Sequence, residues 1–157
     1  MPHSTADIET RLAQMGVVLP PAPRPAANYV PYVVVGNLVY ISGQISQNDG
    51  GLITGRLGDN LDVADGAAAA RACAISIFAQ LKAACDGDLT RVRRAVKLVG
   101  YVNSTADFTD QPKVINGASD FLGDVMGAAG QHARAAVSAI SLPLGVVVEI
   151  EAIFEID

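Results

Sequence analysis

Arg134 is a cation set in an apolar strand. It stands in the run HARAAVSAISLPLGVVVEIEAIFEI, which reads as two β-strands joined by a turn around Leu142-Pro143-Leu144-Gly145. A strand of alternating small and branched residues is at least half buried. A guanidinium there is costly to desolvate unless a carboxylate or another strong acceptor meets it. The acceptor belongs either to the protein, with Glu149 and Glu151 on the next strand as candidates, or to a ligand. In the second case the planar fork of the arginine selects small molecules that carry a carboxylate.

Few other residues could join it. His132 lies two positions earlier, so in an extended strand both side chains point to the same face. It can donate to a ligand or simply mark a partly exposed strand entrance. Glu149 and Glu151 occupy alternate positions of an apolar strand. Burial raises a carboxyl pKa and suits the group to activate water, whereas pairing with Arg134 keeps it ionised. Tyr29 opens a strand and either offers its hydroxyl or packs. Asn116 falls inside a helical stretch, where its low propensity points to a side-chain hydrogen bond. Ser42-Gly43-Gln44 ends a strand at a glycine that permits close backbone approach. There is no nucleophile elbow, phosphate-cradling GxxxxGK, HExxH or GxGxxG. Cys73 and Cys85 form no CxxC pair, and Asp86-Gly87-Asp88 lacks the rest of a calcium loop. His3 lies in the terminal segment.

The elements that must position these groups follow from periodicity. Residues 4–15 read as a short amphipathic helix, capped by Ser4 or Thr5, with Ile8, Leu12 and Met15 on one face and Gly16 ending it. The run LPPAPRPAAN is an extended surface connector. Residues 1–27 are therefore an N-terminal helix and proline-rich connector, and 28–157 the domain proper. YVPYVVV, Gly36-Asn37 and LVYISGQ form a β-hairpin whose first strand Pro31 makes an edge strand. Residues 48–59 are a glycine-rich loop with a short strand around 52–54. Residues 63–84 repeat apolar positions at helical spacing, and Asp86-Gly87-Asp88 ends that helix. Residues 92–102 are strand, 107–127 a second long helix, and two strands follow. The order predicts an α+β fold with helices on one sheet face.

At 157 residues the chain makes one domain. Half its residues are hydrophobic and 17% charged, enough for a sizeable core. Mean hydropathy is +0.32, yet no uninterrupted apolar run approaches about 18 residues, so no membrane span is expected. The spare apolar surface suits burial between identical subunits. A net charge of −5 opposes broad nucleic-acid binding, and Arg91, Arg93, Arg94 and Lys97 read as a solvated strand entrance. The polar start MPHSTADIET is unlike a signal peptide, which points to the cytosol and reduced thiols.

Tyr29, Gly36-Asn37, the phrase ISGQ, Val96-Lys97, Asn116 and the pattern ARAAV…LP…VEIEA together resemble the RidA/YjgF family, also called endoribonuclease L-PSP or translation-initiation inhibitors. The resemblance spans residues 28–156. It implies a chorismate-mutase-like fold and a homotrimer with a central barrel and ligand clefts between subunits. It also implies hydrolysis of reactive enamines and imines, such as 2-aminoacrylate, to 2-keto acids and ammonia without metal or organic cofactor. On that resemblance Arg134 binds the substrate carboxylate, Glu149 positions water, and Tyr29, Ser42 and Asn116 line the cleft. Two positions depart from the pattern. Ala136 stands where several members carry cysteine, and His132 replaces an aromatic or apolar residue. The rival readings are a non-catalytic module that binds small carboxylates and a ribonuclease. The acidic pI and the lack of tryptophan and of paired histidines weigh against the ribonuclease.

Overall fold

A computed structural model describes residues 6–157. The hairpin forms as its turn signal dictates: β1 (Tyr32–Val35) pairs antiparallel with β2 (Leu38–Ile45), with Val35 opposite Leu38 across Gly36-Asn37. Pro31 stays outside the ladder, and β1 is an edge strand. The glycine-rich loop closes a small separate ladder, β3 (Gln47–Asn48) against β4 (Gly51–Leu52). Helix α2 spans Val63–Ala84 and ends in the turn at Asp86 and Gly87.

The start of α2 is a reciprocal cap. The Asp62 carboxylate accepts from the Asp65 amide at 2.9 Å, and the Asp65 carboxylate accepts from the Asp62 amide at 3.1 Å. Asp62→Ala should therefore lower stability by about 1 kcal/mol, read as a lower urea midpoint at unchanged slope.

Strand β5 (Val92–Asn103) runs into helix α3 (Gln111–Met126), which returns to β6 (Ala133–Ala139), parallel to β5. Helix α3 begins later than residue 107. Thr105 donates to the Asp107 carboxylate at 2.7 Å in the preceding turn, and Pro112 opens the helix. Strand β7 (Val148–Ile156) closes a five-stranded sheet of order β1-β2-β7-β5-β6.

This order corrects one expectation. Strands β6 and β7 follow each other in the chain but do not pair, because β5 lies between them. The α3 crossover delivers β6 to the outer side of β5, so the chain must step across β5 to reach β7. The turn at residues 142–145 is a wide connection and not a hairpin. Glu149 and Glu151 are therefore not on the strand next to Arg134.

Both long helices cover one sheet face. Val148, Ile150, Ala152, Phe154 and Ile156 point into the core, and the odd positions of β7 point away. Phe78 of α2 sits at the centre, edge-on to Phe121 of α3 and Phe154 of β7 at 5.8 and 6.0 Å between centroids. Helix α2 is long and apolar enough to cross a membrane by length and composition, but more than half of that stretch is buried inside the fold.

The N-terminal helix α1 (Ala6–Gln14) joins the same core through Ile8 and Leu12. Its proposed caps, Ser4 and Thr5, lie outside the described residues, as does His3. Glu9 pairs with Lys82 at 2.9 Å, and Gln80 donates to the Pro23 carbonyl at 2.6 Å, which fastens the connector to α2.

Candidate functional site

Arg134 lies opposite the buried Leu98 in the β5–β6 register, so its side chain is on the helix-covered side of the sheet edge. There it meets α3. Nη1 donates to Asn116 Oδ1 at 2.8 Å and to Ser119 Oγ at 3.1 Å, and Nη2 reaches the Pro112 carbonyl at 3.4 Å. The mid-helix asparagine thus has the hydrogen bond its placement called for. All these acceptors are neutral, and among the described residues no carboxylate pairs with Arg134. Its Nε–H and one Nη2–H find no acceptor there either.

His132 stands on the same side. Its Nδ1 is 2.6 Å from the Gly130 carbonyl and its Nε2 is 2.9 Å from Ser119 Oγ. Ser119, Gly123, Gly130, Gln131, His132 and Arg134 line an open pocket of about 310 Å³.

Glu149 belongs to a different place. On β7 it is opposite Tyr101 of β5 and Ile45 of β2, on the face away from the helices. It is half-buried against Gly43, where an added Cβ would stand 3.0 Å from the carboxyl carbon. A larger residue at 43 would push into the carboxylate. Glu149 shares a pocket of about 390 Å³ with Tyr29, and Pro23, Arg24 and Pro25 of the connector form part of its wall. Burial, and after it the charge of Glu151, holds the Glu149 carboxyl above the usual carboxylate range.

This shift has a testable sign. Between the ordinary carboxyl pKa and the raised one, the folded chain binds more protons than the unfolded chain, so stability falls as pH rises. Glu149→Gln should remove that dependence. The variant should gain stability relative to wild type as pH rises through this window, checked by urea unfolding from pH 4 to pH 7.

Ser42 falls in neither group. Its hydroxyl donates to the Val30 carbonyl at 2.7 Å, and it borders a third pocket with Tyr40, Lys97 and Glu151. Glu151 accepts from the Tyr101 hydroxyl at 2.9 Å, and this bond is the main cause raising the phenol pKa. Neither glutamate meets Arg134. One chain therefore brings together Arg134, Asn116 and His132, and separately Glu149 and Tyr29, on opposite sheet faces.

Two contributors escaped the sequence reading. Ser119 is one turn beyond Asn116, a spacing that puts both on one helix face and could have flagged it. The connector wall with Arg24 had no local signal, because its docking depends on Gln80, 57 residues after Pro23.

The fold and these groups define a small α+β domain with a mixed sheet, helices on one face, and an edge-strand arginine that meets no carboxylate among the described residues. Residues 9–155 match the family model described as YjgF/chorismate mutase-like, putative endoribonuclease, and the chain belongs to that family. It is 48% identical over 152 residues to Protein TCP17 of Trypanosoma cruzi, covering 96% of this chain and 94% of that one. Solved structures that it resembles include two that cover nearly the whole chain. One is the protein Atu1372 from Agrobacterium tumefaciens, of unknown function, with TM-score 0.89 and 48% identity over 98% of this chain and 96% of that one. The other is a putative endoribonuclease from Shewanella oneidensis, with TM-score 0.90 and 35% identity over 95% of this chain and 99% of that one.

Proposed function

We propose that this protein hydrolyses reactive 2-imino acids to 2-keto acids and ammonia, in clefts between the subunits of a homotrimer. The observation that carries the reading is Arg134: a guanidinium whose partners among the described residues are all neutral, with two N–H donors left over. A substrate carboxylate supplies an acceptor that none of the described residues does, and the two remaining donors suit bidentate binding. Glu149 supports the second half. A carboxyl held above its usual pKa, in a pocket with a tyrosine, is suited to orient a water and take its proton. Water adds to the imine carbon, the nitrogen is protonated and leaves as ammonia, and the carbonyl forms. The imine carbon is already electrophilic, so positioning and electrostatics are sufficient.

Arg134 and Glu149 are on opposite faces of one sheet, so a site that uses both takes them from two chains. The open sheet face favours such an assembly. Val33, Val35, Tyr40 and Val137 are each between 44% and 60% exposed, an apolar surface that identical copies would cover. The test follows the decay of imino acids generated in situ by an amino-acid oxidase. Faster appearance of keto acid with the protein supports the reading. No acceleration across small, branched and aromatic imines, with keto acids still bound, would move the assignment to a carboxylate-binding module.

A further inference from the structure

We infer that Ser119 and His132 are positioning residues that set the carboxylate-binding geometry of Arg134, an inference that rests on the deaminase reading. A carbonyl oxygen only accepts, so the 2.6 Å contact with Gly130 places the His132 proton on Nδ1. In the neutral imidazole Nε2 is then the lone-pair nitrogen, and the Ser119 hydroxyl 2.9 Å away donates to it. The Ser119 oxygen in turn accepts from Arg134 Nη1 at 3.1 Å. Every proton in the series has one direction: Arg134 donates to Ser119, Ser119 to His132, and His132 to Gly130. A cation at one end polarises each bond in the same sense.

The far end of this series is fixed. Gly130 is buried against the end of α3, where an added Cβ would be 2.4 Å from the Leu122 carbonyl. Asn116 takes the other Nη1 hydrogen. Both Nη1 hydrogens are thus spent on the protein, and the guanidinium is turned so that Nε–H and Nη2–H remain for a ligand. A free arginine side chain has many rotamers to lose on binding. Holding it in place beforehand removes part of that cost from binding. The same bonds argue against Ser119 as a nucleophile, since its oxygen is tied to a cation.

The test compares Ser119→Ala, Ser119→Thr, His132→Phe and the Ser119→Ala/His132→Phe double variant. The readouts are kcat and KM for imine hydrolysis and the Kd of pyruvate as a product-like probe. Ser119→Ala should raise KM and the pyruvate Kd by roughly 5- to 10-fold, less than a full bond to a charged group because water can replace the lost acceptor, with kcat within about twofold. Ser119→Thr should restore both. His132→Phe should act in the same direction, and the double variant should be no worse than the poorer single one. Unchanged KM and Kd in Ser119→Ala, or additive losses in the double variant, overturn the inference and leave the deaminase reading intact. If His132→Phe fails to fold, the Ser119→Ala and Ser119→Thr pair decides alone. A wild-type protein that neither turns over imines nor binds pyruvate removes the deaminase reading itself, and this inference with it.

Discussion

Replacing Arg134 with alanine is expected to lower kcat/KM for imine hydrolysis by about 100-fold or more while the protein stays folded. The size follows from two charge-assisted hydrogen bonds to the substrate carboxylate, each worth about 1.5–3 kcal/mol. The stability cost is expected to be small, under about 1 kcal/mol, because the side chain lies at a sheet edge and its partners, Asn116, Ser119 and the Pro112 carbonyl, remain open to water. Circular dichroism and a thermal melt beside the kinetics separate the two effects. A variant that aggregates or melts far below wild type would assign the arginine a structural role. Arg134→Lys should recover little, since a point charge cannot reproduce the planar fork. The opposite-face placement adds a sharper control. Arg134→Ala chains co-refolded with Glu149→Gln chains should regain part of the activity that each lacks alone, because a hybrid site can take its arginine from one chain and its glutamate from another. No recovery in proven hybrid oligomers would mean that both groups do not serve one site.

The second large effect concerns the packing of α3, which carries the arginine's partners, against α2. Gly117 of α3 faces the backbone of α2, and a Cβ there would lie 2.0 Å from the Ala67 carbonyl oxygen. No rotamer change relieves a clash between a Cβ and a backbone atom, so the helices must separate. Gly117→Ala should cost about 3 kcal/mol, a large share of the 5–15 kcal/mol typical of a domain. Asn116 and Ser119 flank this residue, so the same substitution should also loosen Arg134. Gly123 in the same helix is the internal control. An added Cβ there meets nothing within 4 Å, and Gly123→Ala should stabilise by roughly 0.5–1 kcal/mol. Chemical denaturation of both variants decides the point. Equal effects would show that helix propensity and not contact governs this face.

Gly117 also shows what could be read before the structure. In the sequence a mid-helix glycine reads only as a loss of helix propensity; in the fold it is a point of close approach between two helices. Local signals were legible where the chemistry is local. The Gly36-Asn37 turn fixed the hairpin, and three- and four-residue spacing gave α2 its limits. Strand order was not legible, because the alternation in β6 and β7 reports burial and carries no neighbour. Asn116 advertised a side-chain bond through its poor propensity, but its partner is 18 residues away across a crossover. Whether Arg134 meets Glu149 or Glu151 depended on that unseen order, and the insertion of β5 keeps them apart.

The connector before β1 has a consequence for how such a protein can change over generations. Pro23, Arg24 and Pro25 border the Glu149 pocket, yet they contribute nothing to either β-ladder. Residues there can be exchanged without disturbing strand register or the helix seam that holds Arg134. On the deaminase reading, substrate preference could therefore drift through a short proline-rich stretch while Glu149 and Arg134 stay in place, a filter tuned apart from the fold.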